Sequence, residues 1–576
     1  MPPVEPPAAP SPTFALEVLT LTWERVLLTI RVAVTPMPDA TAGDYGSLAF
    51  ALVDSTRDFP ITATEAESGI FDLTMNVTTF SDRREIPNGT WRIRATSEDG
   101  VGAIATIDSG RLASLDDASR VFLYSNNNGA YTVSYGIAES DVQLEFLMRT
   151  YQYTRAPGRI SWRHPLRRAK RRLYGTAAKR RYAQWIHGFF SRVIGPRSGQ
   201  ILFASEQRAT MEGNLLRVHE RLVERGLDKK FTFRYSFRLP ATSGRRSTVR
   251  LLYLLATSET ILLDDYFSIL SVIDVHERTT VIQLWHAGSG FKSVGFSRFG
   301  QAGSPMLRNS HRYYTYAITG SQHLVPVYAE AFGIEPESVI PTGLPRVDWF
   351  LDAERANAFT EDFYGEYPEL VGKRIILFAP TFRGRSITTA YYDYSLIDFD
   401  ALYQTCGPDT VVLFRMHHFV ASKVPIPTQY ADRFFDFSHY PKGLELLHVT
   451  DVLITDYSSI IYEYSLLDRP MLFFAPDKVN YAATRGFHRD FDETAPGRVC
   501  ETFDEVLEAL ANQDYDIDKV ARFRDENFDI VDTGAADRVI DQLILSHPLN
   551  TPQHPKVNGG EDGPRGDEDE QEDEGL

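Results

Sequence analysis

Two consecutive α/β units of the doubly wound, Rossmann type, preceded by an all-β sandwich-like domain, form the architecture that the sequence predicts. Three observations predict it. From about Gly199, short apolar runs alternate with helix-compatible stretches, the rhythm of parallel sheets with crossover helices. That rhythm starts afresh after Gly343-Leu344-Pro345-Arg346. Before residue 140 the chain instead holds short extended runs punctuated by turn signals.

Taken in order, residues 1–13 are a Pro- and Ala-rich leader with nothing to fold around, and they are expected to be disordered. Residues 14–140 hold two extended runs within 14–35, around Trp23-Glu24-Arg25, and further runs at 46–53, 69–78 and 90–95. Turn signals at Pro87-Asn88-Gly89 and Asn126-Asn127-Asn128-Gly129 separate several of them, which predicts a small sandwich. No residue pattern there suggests catalysis. The first α/β unit, 199–345, has candidate strands at 200–204, 231–235, 260–263, 280–284, 316–319 and 338–341. In the second, 346–547, they fall at 374–379, 410–414, 433–437, 452–455 and 471–474. Two such units in succession imply a cleft between them. That is the architecture of the GT-B transferases, in which the second unit usually holds a nucleotide-linked donor.

Composition narrows the class. At 576 residues the chain has room for three domains, and its 43% hydrophobic content is ordinary for globular protein. Two cysteines argue against a disulfide framework or a cysteine-rich metal site. The N-terminus lacks the basic and apolar regions of a signal peptide, and no apolar run reaches the ~18 residues that span a bilayer. A soluble, intracellular protein is therefore expected. The formal net charge of −17 is unevenly spread. Residues 561–576, within a tail (548–576) expected to be disordered, hold nine acids and one Arg.

The opposite bias marks the segment 146–198. From Phe146 to Ser205 there are fourteen Lys and Arg and no acid. Arg167, Arg168, Lys170, Arg171, Arg172, Lys179, Arg180 and Arg181 are interleaved with Trp162, Leu173, Tyr174, Trp185, Phe189 and Phe190. An anionic membrane surface, nucleic acid and a solvated interdomain helix all suit such a stretch. Large apolar residues accompany the charge and no nucleic-acid motif appears, so the membrane surface is favoured and nucleic acid is not expected.

Polar residues collect where strands end. The run Val452-Leu-Ile-Thr455 breaks into Asp456-Tyr457-Ser458-Ser459, followed by a helix-compatible stretch as far as Asp468 and a strand from Met471. In open α/β sheets the crevice at the carboxyl ends of strands binds ligands, and a helix N-terminus there favours an anion. The plain alternative is that Asp456 or Ser458 caps the helix. Trp285-His286-Ala287-Gly288, Pro380-Thr381-Phe382-Arg383 and Arg415-Met416-His417-His418 likewise follow strands. Arg383 and Arg415 offer planar forks for phosphate oxygens, and His286 or His417 a group that moves a proton near neutral pH. Singly, His286 also reads as a satisfied histidine beside Trp285, and Arg383 as the partner of a structural carboxylate such as Asp393.

Together the motifs resemble the CDP-glycerol glycerophosphotransferase family, which includes the teichoic acid primases and polymerases. Gln283-Leu284-Trp285-His286-Ala287, Phe291-Lys292, Pro341-Thr-Gly-Leu-Pro-Arg346, Phe378-Ala-Pro-Thr-Phe-Arg383, Phe414-Arg-Met-His417 and Thr455-Asp-Tyr-Ser-Ser459 occur in order. Arg469-Pro470, Arg485-Gly486-Phe487 and Pro496-Gly497 extend the series, and the match covers about 199–512. The longer form, through Gly295-Phe296-Ser297-Arg298, is similar to that of ribitol phosphate polymerases. Ala287-Gly288-Ser289 departs from the Trp-His-Gly-Thr form common among relatives acting on CDP-glycerol, which leaves the donor alditol open.

The resemblance implies a CDP-glycerol or CDP-ribitol donor and a lipid-linked polyol phosphate acceptor at the inner face of the cell membrane, with CMP released. It implies His286 as general base, His417 as a ligand of the diphosphate that offsets charge on the leaving group, and Asp456 as the residue that orients His417 or the donor's hydroxyls. Arg415, Ser458 and Ser459 would hold the diphosphate, with Arg383 and Lys292 as further phosphate ligands. No metal-ligand cluster is evident, so no cofactor is required, although Mg²⁺ with the diphosphate is compatible with the reading. A homo-oligomer is compatible too. Two other functions remain open: a GT-B glycosyltransferase using a nucleotide sugar, and a non-catalytic wall-polymer-binding protein.

Overall fold

The computed structural model describes residues 14–37, 47–125, 128–139, 144–154, 176–239, 243–286, 292–301, 304–384 and 389–546. Outside them lie both termini, the loop residues Ala287-Gly288-Ser289, and Arg167, Arg168, Lys170, Arg171 and Arg172 of the basic segment. The chain divides into two compact bodies: the β-rich region together with residues 295–309, and the remainder.

The first body carries strands β1 (Phe14–Glu24), β2 (Leu27–Pro36), β3 (Leu48–Val53), β4 (Asp58–Glu67), β5 (Ile70–Asn76), β6 (Gly89–Ser97), β7 (Gly102–Ile107), β8 (Arg120–Tyr124), β9 (Gly129–Glu139) and β10 (Leu144–Thr154). Their order is β1-β2-β5-β4-β3-β6-β7-β10-β9-β8, and a parallel pairing of β1 with β7, Leu16 opposite Ala105, closes the ring. The expected sandwich is therefore a closed barrel. One-face alternation along a strand reads the same in both, whereas closure depends on a pairing between residues about ninety apart, which no local pattern announces. Strand β10 also carries this body past residue 140, so residues 146–154 belong to its sheet rather than to a surface-facing segment.

Its core is anchored by Trp91, fully buried, whose indole N–H donates to Thr150 Oγ1 at 2.9 Å. Phe296, Phe299 and Leu307, distant in sequence, are buried in the same core. The Phe299 ring stacks on Phe122 at 5.4 Å and Tyr124 at 5.7 Å. Beside it Gly300 has φ +85°, and a Cβ there would meet the Phe122 ring at 2.9 Å, so this approach needs glycine.

The second body holds two six-stranded parallel sheets. The first comprises β11 (Arg197–Ser205), β12 (Thr232–Phe237), β13 (Ser258–Leu263), β14 (Thr280–Gln283), β15 (Tyr316–Ile318) and β16 (Val339–Ile340), ordered β12-β11-β13-β14-β15-β16. The second comprises β17 (Arg374–Phe378), β18 (Thr410–Phe414), β19 (Phe434–Asp436), β20 (Val452–Thr455), β21 (Met471–Phe474) and β22 (Arg498–Cys500), ordered β19-β18-β17-β20-β21-β22. All eleven candidate strands are present. The twelfth, β22 (Arg498-Val499-Cys500), carries too little apolar patterning to be read. Central strands such as β14, β20 and β21 are buried at every residue, as parallel strands covered on both faces must be.

Strand order reverses between β11 and β13 in one sheet and between β17 and β20 in the other, so the crevices open at the carboxyl ends of those strands. The chain then returns to the first half. Helix Ala535–Val539 presents the N–H groups of Ala535 and Ala536 to Asp348 at 2.9 and 3.0 Å, and Asp537 pairs with Arg221 on helix Gly213–Glu224. Helix Thr176–Val193 packs through Phe190 on Tyr253, ring centroids 5.2 Å apart, and leaves Tyr182, Trp185 and Phe189 exposed.

Candidate active site

The first cluster grows from β13 and β14, paired in parallel with Leu263 opposite Gln283, so that the residues beyond the two strand ends emerge side by side. After β13 come Asp264 and Asp265; after β14 come Leu284, Trp285 and His286. Trp285 takes a left-handed φ of +50°, uncommon for so bulky a residue, and its N–H is held by Gln283 Oε1 at 2.9 Å. This turn sends the largely buried His286 ring toward Asp265, with Nδ1 2.7 Å from Oδ1.

Burial opposes ionisation of Asp265, but the hydrogen bond and charge of His286, together with Arg208 (Nε at 3.4 Å), hold its carboxyl below the usual range. Asp264 goes the other way: burial, then the charge of Asp265, push it well up. With Asp265 accepting from Nδ1–H, Nε2 is the ring nitrogen left to take a proton. The sequence reading missed Asp265. Its signal was two successive acids directly after an apolar strand, which gains meaning only once β13 is known to lie beside β14. Asp265→Asn is expected to lower turnover about 10²-fold with little change in donor binding, measurable in steady-state kinetics.

The second cluster follows β17, β18 and β20. Asp456 is buried, and its carboxylate accepts from Thr381 N–H at 2.8 Å, Thr381 Oγ1 at 3.0 Å and Tyr457 N–H at 2.6 Å, with Arg383 Nη1 2.9 Å away. It ties the end of β20 to the end of β17; its described partners do not include His417. Arg383 pairs with Asp477 (Nε to Oδ2, 2.6 Å) as well as Asp456, not with Asp393. Arg415 donates through Nη1 to the Phe437 and Tyr440 carbonyls at 3.1 and 2.8 Å. Among the described residues Ser458 makes only a long 3.4 Å contact with Ile460 N–H, and Ser459 is half-buried without a side-chain cap bond. Their helix, Ile460–Ser465, is shorter than the expected run to Asp468. Beyond it Leu466, Leu467 and Asp468 bond three residues back, and Asp468 turns to φ +51°.

His417 differs from these neighbours. Its Nδ1 accepts from Phe419 N–H at 3.2 Å, which places the ring hydrogen on Nε2, and that buried atom has no hydrogen-bond partner among the described residues. Burial, then the charges of His418 and Lys292, bring its pKa down to about 3. It is thus a neutral hydrogen-bond donor without an acceptor. Lys292 is placed by a backbone bridge to Phe487, which brings it to the Arg485-Gly486-Phe487 motif. Arg208, which touches Asp265, also contributes after burial and Arg415 to lowering His418. Arg208 thus lies against Asp265 and its charge reaches His418, as that of Lys292 reaches His417, while Asp456, Arg383 and Arg415 are engaged in internal bonds.

Buried neutral histidines have a consequence for stability. His311 and His417 are depressed to about 3 and His187 to about 4, in each case chiefly by burial. Between those values and the ordinary 6.5 the unfolded chain binds protons that the folded chain refuses, so stability present above pH 6.5 is lost on acidification. The melting temperature is expected to fall from pH 7 to pH 5, with a shallower fall in His417→Gln.

Residues 188–545 match the profile of the CDP-glycerol:poly(glycerophosphate) glycerophosphotransferase family. The chain belongs to this family. Among curated glycerophosphotransferase relatives, the teichoic acid poly(ribitol-phosphate) polymerase of Bacillus spizizenii is 39% identical over 62% of this chain and 57% of its own length. The ribitol-phosphate polymerase TarK of Staphylococcus aureus is 39% identical over 60% of this chain and 69% of its own. The chain thus spans between just over half and about two thirds of the length of these relatives. A solved variant of the wall teichoic acid polymerase TagF superposes with a TM-score of 0.51 at 21% identity, over 66% of this chain and 96% of that one, which shows a shared fold. Both side-chain clusters lie within the glycerophosphotransferase match, and β1–β10 lie outside it.

Proposed function

We propose that this protein transfers an alditol phosphate from a CDP-alditol to a lipid-linked polyol phosphate acceptor and releases CMP, with the two parallel sheets acting as a GT-B pair. The observation that carries the reading is the His286–Asp265 pair after one sheet together with the unpartnered Nε2–H of neutral His417 after the other. In this reading His286 Nε2 takes the proton from the acceptor hydroxyl. The oxygen attacks the phosphorus bearing the alditol as the bond from that phosphorus to the CMP oxygen breaks. The His417 N–H and Lys292 meet the charge that develops on the departing CMP, with Ser458 and Ser459 as further hydroxyl donors. Asp456, Arg383 and Arg415 shape the donor side from behind.

CDP-ribitol is the favoured donor. The relatives at 39% identity are ribitol-phosphate polymerases, whereas the glycerol-phosphate enzymes share 26 to 29%. The deciding experiment measures CMP release from each CDP-alditol with a lipid-linked polyol phosphate mimic, with and without EDTA to test for Mg²⁺. Acceptor-dependent CMP from CDP-ribitol is expected. Folded protein that binds CDP yet releases no CMP from either donor would sink the proposal.

The acceptor's lipid gives the exposed stripe Tyr182, Trp185 and Phe189, flanked by Lys179 and Arg181, a role at an anionic membrane surface. No helix among the described residues is long and apolar enough to cross a membrane. Salt-sensitive sedimentation with anionic vesicles, weakened when Lys179 and Arg181 become Glu, is the expected behaviour. Equal pelleting of the two proteins would end this part of the reading.

A further inference from the structure

One buried ion pair joins the two sheets next to His286. Glu463 is fully buried on helix Ile460–Ser465, directly after the donor-side turn, and its Oε1 accepts from Arg346 Nη2. Arg346 lies on helix Pro345–Phe350, after the last strand of the first sheet. Its Nη1 donates to the carbonyl of His286, and its backbone N–H donates to Asn214 Oδ1 at 2.8 Å. The Asn214 amide in turn donates to the carbonyls of Leu284 and Trp285 at 2.9 and 2.7 Å. Three successive carbonyls, 284 to 286, are thus held by two side chains across the left-handed Trp285. Such a backbone persists only where its surroundings over-determine it. Arg346 Nε and Glu463 Oε2 have no partner among the described residues, and a buried ion pair with open valences at both ends is a poor source of stability.

We infer that Arg346, held by Glu463, is a positioning residue for His286: it fixes the backbone from which the imidazole reaches Asp265, and it anchors that geometry to the helix that follows the donor-side turn. The inference rests on the assignment of His286 as the base. It makes the proton acceptor on the first sheet correct only while the second sheet's helix is seated against it.

The test is the double variant Arg346→Met with Glu463→Leu, which removes both charges without stranding either in the interior. Its melting temperature is expected to stay near the parent's. The kcat is expected to fall about 10- to 100-fold, with KM for the CDP-alditol nearly unchanged, because misplacement and not binding is at fault. In ¹⁵N-histidine spectra of the full chain, the parent's His286 should show a single Nδ1–H tautomer, and the double variant a shifted resonance and titration. Glu463→Gln, which retains a hydrogen-bond acceptor for Arg346, should lie between them and carries the comparison if the double variant fails to fold. A folded variant whose His286 resonance, titration and kcat match the parent's overturns the inference. If the parent itself releases no CMP, the proposed function falls, while the spectra still decide the positioning.

Discussion

Replacing His286 with Ala is expected to lower acceptor-dependent CMP release by about 10²- to 10⁴-fold, the usual contribution of a positioned general base. Binding of the CDP-alditol, measured by calorimetry, should stay at the parent's level, because the groups assigned to the donor, Lys292 apart, sit after the other sheet. The loss should appear in kcat with KM for the donor unchanged. A second effect arises from the geometry. Asp265 loses the hydrogen bond and charge that offset its burial, so its carboxyl should rise and the first sheet's crevice should be less stable at neutral pH. Pairing His286→Ala with Asp265→Ala separates the two effects, since the double variant removes the stranded acid while remaining inactive. Turnover at the parent's rate in a folded His286→Ala protein would refute the assignment.

His417→Ala should cost about 10²- to 10³-fold in kcat, the range for removing one preorganised donor to developing charge. Its pH dependence distinguishes it from His286. With a pKa of about 3, His417 is neutral throughout the working range, so the loss should be the same factor at pH 6 and at pH 9. His417→Gln, whose amide N–H can reach toward the same acceptor, should recover part of the rate. A histidine acting by proton transfer would instead show a loss that changes with pH and no rescue by an amide.

Much of this was legible in the sequence because parallel strands buried on both faces are continuous apolar runs with sharp ends. Runs 410–414, 452–455 and 471–474 coincide with strands β18, β20 and β21 residue for residue. Motif-bearing loops could be placed for the same reason, since the turns that carry His286, His417 and Asp456 each follow a strand end. What stayed hidden depends on partners remote in sequence. Asp265 is informative only beside His286, 21 residues later, and Arg346 only beside Glu463, 117 residues away. Asp456 and Arg383 look like ligand-binding groups at strand ends, yet their hydrogen bonds run to Thr381, Tyr457 and Asp477 within the fold. The barrel escaped for a related reason, since a single parallel pairing between β1 and β7 distinguishes it from a sandwich.

Residues 295–309 change what counts as a removable part of this protein. The family match from 188 to 545 reads as a self-contained module, yet it carries Phe296, Phe299 and Leu307, which are interior residues of the barrel. A fragment cut at the start of that match would retain three large apolar side chains stripped of the strands that cover them, an invitation to aggregate. A barrel expressed from the N-terminal residues alone would have the matching hollow where the stacked Phe299 ring belongs, and truncating a buried aromatic typically costs about 3–5 kcal/mol. The seam visible in sequence comparison is therefore not a seam in manufacture. Grafting the family-matched region onto another barrel, or this barrel onto another such region, would require moving the two segments together.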